Sequence, residues 1–387
     1  MREIYLDYNA TTPIDPRVTE AMAPFLSDNF HNPSSLYQKS KITKKAIEDS
    51  REKLATLIGA APKEIIFTGG GSESDNHAIK GIAFSLMKKG KHIITSSIEH
   101  HAVLHTCKFL EKIGFDVTYL SVDRYGIVNP DSVRKSIRDD TILVSIMYAN
   151  NEIGTMEPIK EISEITREKG VIFHTDAVQA VGKIPINVND LGVDLLSLSA
   201  HKFYGPKGVG ALYIRKMLRI ESLLHGGMQE RGKRAGTENI AGIVGAGKAA
   251  EIAMEEMGEE KDKIKPLRDK LENELIKRIP EIIINGHPSN RLYNTLNIAI
   301  KYIEGEGMLT FLDFEGISVS SGSACASGSL DPSHVLLAVG VPIEHAHGSL
   351  RFSLGKYNNY KDIDKVIEVL PPIVEKLRSI SPLWGKR

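Results

Sequence analysis

Between Glu64 and Ser199 short apolar runs alternate with amphipathic stretches, and no other feature of the chain narrows its fold as much. The runs are Glu64–Thr68, His92–Ser96, Val117–Val122, Ile142–Met147, Val171–His174 and Asp194–Ser199. Helical periodicity separates most of them: from near Ser72, over Ala102–Ile113, over Asp131–Ile137 and over Ile159–Lys169, with an earlier helix over Lys41–Ile58. Strands alternating with helices of this length predict an α/β fold with a mostly parallel central sheet covered by helices on both faces. In such sheets ligands bind beyond the carboxyl ends of the strands. Polar clusters stand at five of those ends: Ser72, Glu99-His100, Asn150-Asn151, Asp176 and His201-Lys202. That distribution predicts an active site there.

Each cluster carries its own chemistry. In Asp194–Ile214 a strand-like run breaks into Ser199-Ala200-His201-Lys202, a Gly/Pro turn follows, and a second apolar run ends at Ile214. A lysine at the mouth of a buried strand suits imine chemistry with a carbonyl cofactor, since burial lowers its pKa and frees the amine. A surface lysine at the end of a hairpin is the plainer reading. Gly69-Gly70-Gly71-Ser72 lies between a strand and a helix, where free backbone N–H groups hold phosphate well; a glycine-rich helix cap with no ligand is the equal alternative. It lacks the Gly-Lys-Ser/Thr of a P-loop and the Gly-x-Gly-x-x-Gly of a dinucleotide site. Asp176 either keeps a pyridinium nitrogen protonated or caps the next turn. His100 either stacks on a ring and moves a proton or is a hydrogen-bonded structural histidine.

The remaining signals lie further on. The Gly-rich basic loop within 223–239 either meets an anion with Arg231, Lys233, Arg234 and Thr237 or is an exposed flexible loop. Cys325 sits in SSGSACASGS, a run too small and polar to pack a core, which predicts an exposed mobile loop. An exposed thiol there reads as a working nucleophile, whereas Cys107, on an apolar helix face, reads as core. Arg351, on a strand with apolar neighbours, calls for a carboxylate from the protein or from a substrate.

With 387 residues, two domains are expected. The helical stretches Ile240–Met257 and Glu259–Arg278 mark the passage between them, and α+β elements follow. The expected division is a large domain over 14–257 and a small one over 1–13 and 258–387. Forty-nine basic side chains balance 49 acidic ones, which gives no pull toward nucleic acid or membrane. No run reaches the ~18 apolar residues of a membrane span, and MREIYLDYNATT has no apolar signal-peptide core. Two cysteines cannot build a disulfide framework, so a cytoplasmic protein is expected. No metal site of its own is expected, because the chain has no Cys-x-x-Cys pair and the adjacent His100 and His101 cannot converge on one ion.

Taken together, LDYNATTP, NPSS, GGGSESDN, EHHAVL, NNEIGT, HTDAVQAVGK, SAHKFYGPKGVGAL, GGMQERGKRAGTEN, SSGSACASG and LRFSLGKYN resemble the cysteine desulfurases. These are fold-type-I pyridoxal-phosphate enzymes of the class-V aminotransferase family, and the long loop around Cys325 resembles their iron–sulfur-cluster branch. The resemblance implies conversion of L-cysteine to L-alanine, with sulfur carried as a persulfide on Cys325 to an acceptor for iron–sulfur cluster assembly or tRNA thiolation. It leaves a selenocysteine lyase or another fold-type-I lyase as the alternative. Lys202 would join the cofactor and move the substrate Cα proton, Asp176 would hold the pyridine nitrogen, Gln179 the phenolic oxygen, and His100 would stack on the ring. Gly71, Ser72, Ser199 and His201 would hold the phosphate, joined by Thr237 from the other subunit of a homodimer. Asn32, Asn151 and Arg351 would grip the substrate carboxylate, and Cys325 would have the further option of sharing a cluster with a scaffold protein. The chain departs from the family's usual pattern at Gly71-Ser72, commonly Ala-Thr, and at His31, often glycine.

Overall fold

The computed structural model describes residues 3–321, 332–382 and 384. Twelve strands are described: β1 (Ile4–Tyr5), β2 (Ile65–Thr68), β3 (His92–Ser96), β4 (Asp116–Leu120), β5 (Thr141–Ser145), β6 (Ile172–Asp176), β7 (Leu195–Ser199), β8 (Gly210–Ile214), β9 (Ile282–Asn285), β10 (Thr295–Ile300), β11 (Ile317–Ser318) and β12 (Ser349–Ser353).

Seven of them form the central sheet, in the order β2-β8-β7-β6-β5-β3-β4. β7, β6, β5, β3 and β4 run parallel, and β8 is antiparallel to both of its neighbours. β2 therefore points the same way as the parallel five, so the carboxyl ends of β2, β3, β5, β6 and β7 share one edge. β3, β5, β7 and β8 are buried along their whole length, as strands covered on both faces must be.

The second layer of structure is antiparallel, β12-β10-β9, with β1 paired to β11 beside it. The amino-terminal strand thus joins carboxyl-terminal elements, and Ile4 and Leu6 share a core with residues between Ile264 and Val374. A separate, larger core lies around the central sheet.

One helix of 39 residues, Ile240–Arg278, spans both cores. The break expected at Gly258 does not occur. Ala249, Ala250 and Ala253 are buried in one core and Ile264, Leu267 and Leu271 in the other. That packing outweighs the ~1 kcal/mol helix cost of one glycine. No helix among the described residues is long and apolar enough to cross a membrane.

Candidate active site

At the shared edge of the sheet lies a cavity of about 300 Å³. The turns after β2 and β7 bring Gly71, Ser72, Ser199, His201 and Lys202 to its wall. β6 and its following turn bring Asp176 and Gln179, and the segments after β3 and β5 bring His100 and Asn151. Arg351, from β12, closes the side away from the sheet. Ten of the sequence-predicted residues therefore meet in one place. Asn32 and Thr237 do not line the cavity: both are exposed, and the Asn32 carboxamide accepts from the Ser34 N–H in a local turn. Cys325 lies outside the described residues.

The glycine turn has the shape its sequence requires. Gly70 holds φ 148° and ψ −176°, a region essentially closed to other residues, and it precedes helix Gly71–Leu86. No side chain caps that helix, so its first-turn N–H groups are left for an anion. A hollow lined by Gly69, Gly70, Ser72, Glu73, His201 and Lys207 adjoins it, so backbone N–H groups and a lysine that suit a phosphate gather at this end of the cavity.

Asp176, buried at the end of β6, accepts from the Val178 N–H at 2.9 Å. It is thus both the strand-end carboxylate and the cap of the next turn. Burial pushes its pKa up to about 6, although the Val178 N–H and Lys202 oppose the rise. A buried carboxyl in that condition gains from a cationic N–H brought into the cavity. The neighbouring Asp75 is fully enclosed and is also raised, by burial and then by Asp176.

His100 caps helix His101–Lys112, its Nδ1 accepting from the Ala102 N–H at 3.1 Å. That bond places the proton of the neutral ring on Nε2. Burial, then Lys202, lowers the His100 pKa to about 4, so the ring is a neutral surface at physiological pH. The same causes bring His201 to about 4.

Lys202 lies in a one-turn helix between the antiparallel β7 and β8, so it does stand at the end of a hairpin, but half-buried at the cavity wall and not on the open surface. Its Nζ donates to the carbonyls of Asn9 at 2.5 Å and Ala10 at 2.7 Å. Arg351 is 2% exposed; it donates to Asp7 at 2.7 Å and to the Asn151 carbonyl at 3.1 Å. Its buried Nε finds no hydrogen-bond partner among the described residues, and the side chain lines the cavity, where a guanidinium suits a carboxylate.

These features fit pyridoxal phosphate: an uncapped helix end for the phosphate, a buried carboxyl for the ring nitrogen, a neutral imidazole beside them, and a lysine amine.

Sequence reasoning passed over Asp7, Asn9, Asp75 and Lys183. Asn9 joins the two layers, its side chain bonding Thr295, Asn294 and the Asn151 carbonyl. Asp75 follows Ser72 by three residues and Lys183 follows Gln179 by four, spacings that bring side chains together on a helix or compact turn. It also passed over His105, one turn beyond His101. Their rings stack at 5.0 Å and His334 lies 4.9 Å from His101, yet no group of three among the described residues could hold a metal ion. Cys107 is buried, and burial first pushes its thiol up to about 12.

The aminotransferase class-V family model matches residues 4–366. A curated relative named cysteine desulfurase IscS, from Dictyoglomus turgidum, is 61% identical over 98% of this chain and 97% of its own length. One of the same name from Methanosarcina thermophila is 60% identical over 100% and 95%. A solved structure described as a NifS-like protein superposes with a TM-score of 0.92 at 41% identity, covering 97% of this chain and all of that one. Another, described as SspA in complex with cysteine, gives 0.82 at 41% identity over 92% and 100%.

Proposed function

The chain belongs to the aminotransferase class-V family and is a pyridoxal-phosphate-dependent cysteine desulfurase, and on that premise we propose that it moves the sulfur of L-cysteine onto Cys325 and from there to an acceptor protein. The observation that carries the site assignment is the meeting of Lys202, Asp176, His100, Gln179 and Arg351 around one cavity.

When bound, pyridoxal phosphate supplies an electron sink for negative charge at the substrate Cα. The side chains do the rest. Gly71, Ser72, Ser199 and His201 hold the phosphate, with Thr237 of the partner subunit completing the cradle in a homodimer. Its exposed place on this chain agrees with a role across an interface. Asp176, as a carboxylate, would hold the proton on the ring nitrogen, Gln179 would donate to the phenolic oxygen, and the neutral His100 would stack on the ring. Arg351 and Asn151, joined by Asn32, orient the substrate carboxylate so that its Cα–H faces the Lys202 amine, which takes the proton.

The Cys325 thiolate then attacks the substrate Sγ. An S–S bond forms as Cβ–Sγ breaks, the bonding pair passes to the alanine fragment, and protonation releases L-alanine. No outside oxidant is needed, because the sulfur leaves as a persulfide. Reduction or transfer to an acceptor, such as an iron–sulfur scaffold or a tRNA-thiolation protein, restores the thiol. The core around the central sheet and the core that joins Ile4 and Leu6 to residues 264–374 support the division into 14–257 and 1–13 with 258–387, and a smaller core around Ile98 and Ala299 bridges the two parts. The low cysteine count supports a cytoplasmic location.

The test is the visible spectrum of the purified protein with and without L-cysteine, together with alanine and sulfide release under a reductant. Lys202→Ala is expected to lose the visible band. Cys325→Ser is expected to keep it and lose sulfide release; full turnover by that variant would remove Cys325 from the mechanism.

A further inference from the structure

Gln179 has one carbonyl oxygen and one amino group, and which of them faces the cavity decides whether it stabilises or repels an anionic oxygen there. Nothing in the local turn fixes that choice, since an amide fits its slot either way round. Lys183 fixes it. Its Nζ donates to Gln179 Oε1 at 3.1 Å and to the Gln179 backbone carbonyl at 3.0 Å. An ammonium has donors only, so the carbonyl end of the amide is held toward Lys183. The amino end is left to donate to the Asn9 carbonyl at 2.9 Å, with one N–H remaining at the cavity wall. The same Asn9 carbonyl receives the Lys202 amine. Lys183, Gln179, Asn9 and Lys202 thus form one continuous chain of hydrogen bonds.

We infer that Lys183 is a positioning residue of the desulfurase: it sets the polarity of the Gln179 amide and so presents an N–H donor to the phenolic oxygen of the cofactor. The inference rests on the pyridoxal-phosphate reading above and adds to it a residue that does not line the cavity. A lysine that is 6% exposed is costly to place, and a long apolar side chain would fill the same space. Burial, and next the positive charge of Lys202, lowers the Lys183 pKa to about 7. The other charged groups acting on it are Glu260, which favours its charge, and Arg351, which opposes it. The neutral amine keeps two N–H donors, one for each Gln179 carbonyl, but gains a lone pair, so its hold on the amide is strongest when it is protonated.

The proton that titrates on the lysine-bound cofactor reports the donor directly, since a hydrogen bond to the phenolic oxygen favours the form in which that oxygen is anionic. The experiment is a pH titration of the visible absorbance of the holoenzyme for wild type, Lys183→Met, Gln179→Leu and the double variant. A hydrogen bond to a charged group is worth about one pH unit or more. Lys183→Met is therefore expected to move the midpoint by about one unit, a tenfold change in proton affinity, in the same direction as Gln179→Leu. The double variant is expected to move no further than Gln179→Leu alone. A Lys183→Met midpoint within about 0.2 units of wild type, or shifts that simply add in the double variant, would overturn the inference. A purely structural lysine would lower thermal stability without moving the midpoint. If the Met variant fails to retain the chromophore, Lys183→Ala, which also lacks a donor, serves the same cycle. Failure of the cofactor reading itself looks different: the wild type would then show no visible band at all.

Discussion

Removing Glu230 tests how the basic loop within 223–239 is tied to the sheet. Its carboxylate meets the Arg51 guanidinium in a two-pronged pair, at 2.7 and 2.8 Å, and both side chains are 3% exposed. The same carboxylate accepts from the Phe67 N–H at 2.8 Å, and Arg51 donates to the Ile65 carbonyl at 3.0 Å, so the pair is fastened to β2. The loop bears strain there, with Glu230 at φ 45° and Arg231 at φ 58°, and the ion pair is what holds it in that shape. Glu230→Ala would strand a buried guanidinium and a buried N–H while leaving the strain. Breaking one side of a buried pair costs about 3–5 kcal/mol. Glu48, at 3.2 Å and half exposed, still faces Arg51 and places the expected loss at the low end, about 3 kcal/mol. With a urea slope near 3 kcal/mol/M, that is a fall of about 1 M in the unfolding midpoint. Adding Arg51→Met removes the stranded charge, so the double variant is expected to be more stable than Glu230→Ala alone. A loss below about 1 kcal/mol for the single variant, or a double variant carrying the full sum of both losses, would refute the reasoning. Because the loop continues to Thr237, cofactor retention is expected to fall along with stability.

Gly70→Ala forces a side chain into a backbone conformation that costs about 1–3 kcal/mol and displaces the first turn of helix Gly71–Leu86. Cofactor titration by fluorescence is expected to show affinity about ten- to a hundredfold weaker, and unchanged affinity would disconnect the turn from the phosphate. Burial raises Glu152 to about 7 and Glu157 to about 8, so the folded chain keeps protons that the unfolded chain releases near pH 4.5. Their contribution to stability is therefore expected to fall as pH rises from about 4.5 to about 8, against the opposite contribution of the histidines held near 4. Glu152→Gln should flatten the pH 5–7 part of that fall in urea unfolding, and an unaltered slope would show that Glu152 is not the group responsible.

The sheet was legible because burial on both faces demands continuous apolar runs. Leu195, Leu196 and Leu198 announced β7, and even the reversal of β8 stood in the sequence as a Gly/Pro turn between two apolar runs. The break expected at Gly258 was not there, since a local glycine signal cannot show that two cores will grip one helix from both ends. The site was legible to the same depth. Residues at strand ends could be named because topology puts every such end on one edge. The residues behind them could not, because their partners are remote in sequence: Asp7 meets Arg351 across 344 positions and Asn9 meets Gln179 across 170. Those distant contacts decide chemistry that the strand ends leave open. Arg351 called for a carboxylate and finds Asp7, while its side chain also lines the cavity. A carboxylate entering the cavity would meet a guanidinium already partly neutralised and held in place. Such a site gains orientation more than raw affinity, which is the balance an enzyme needs when one Cα–H has to face the Lys202 amine.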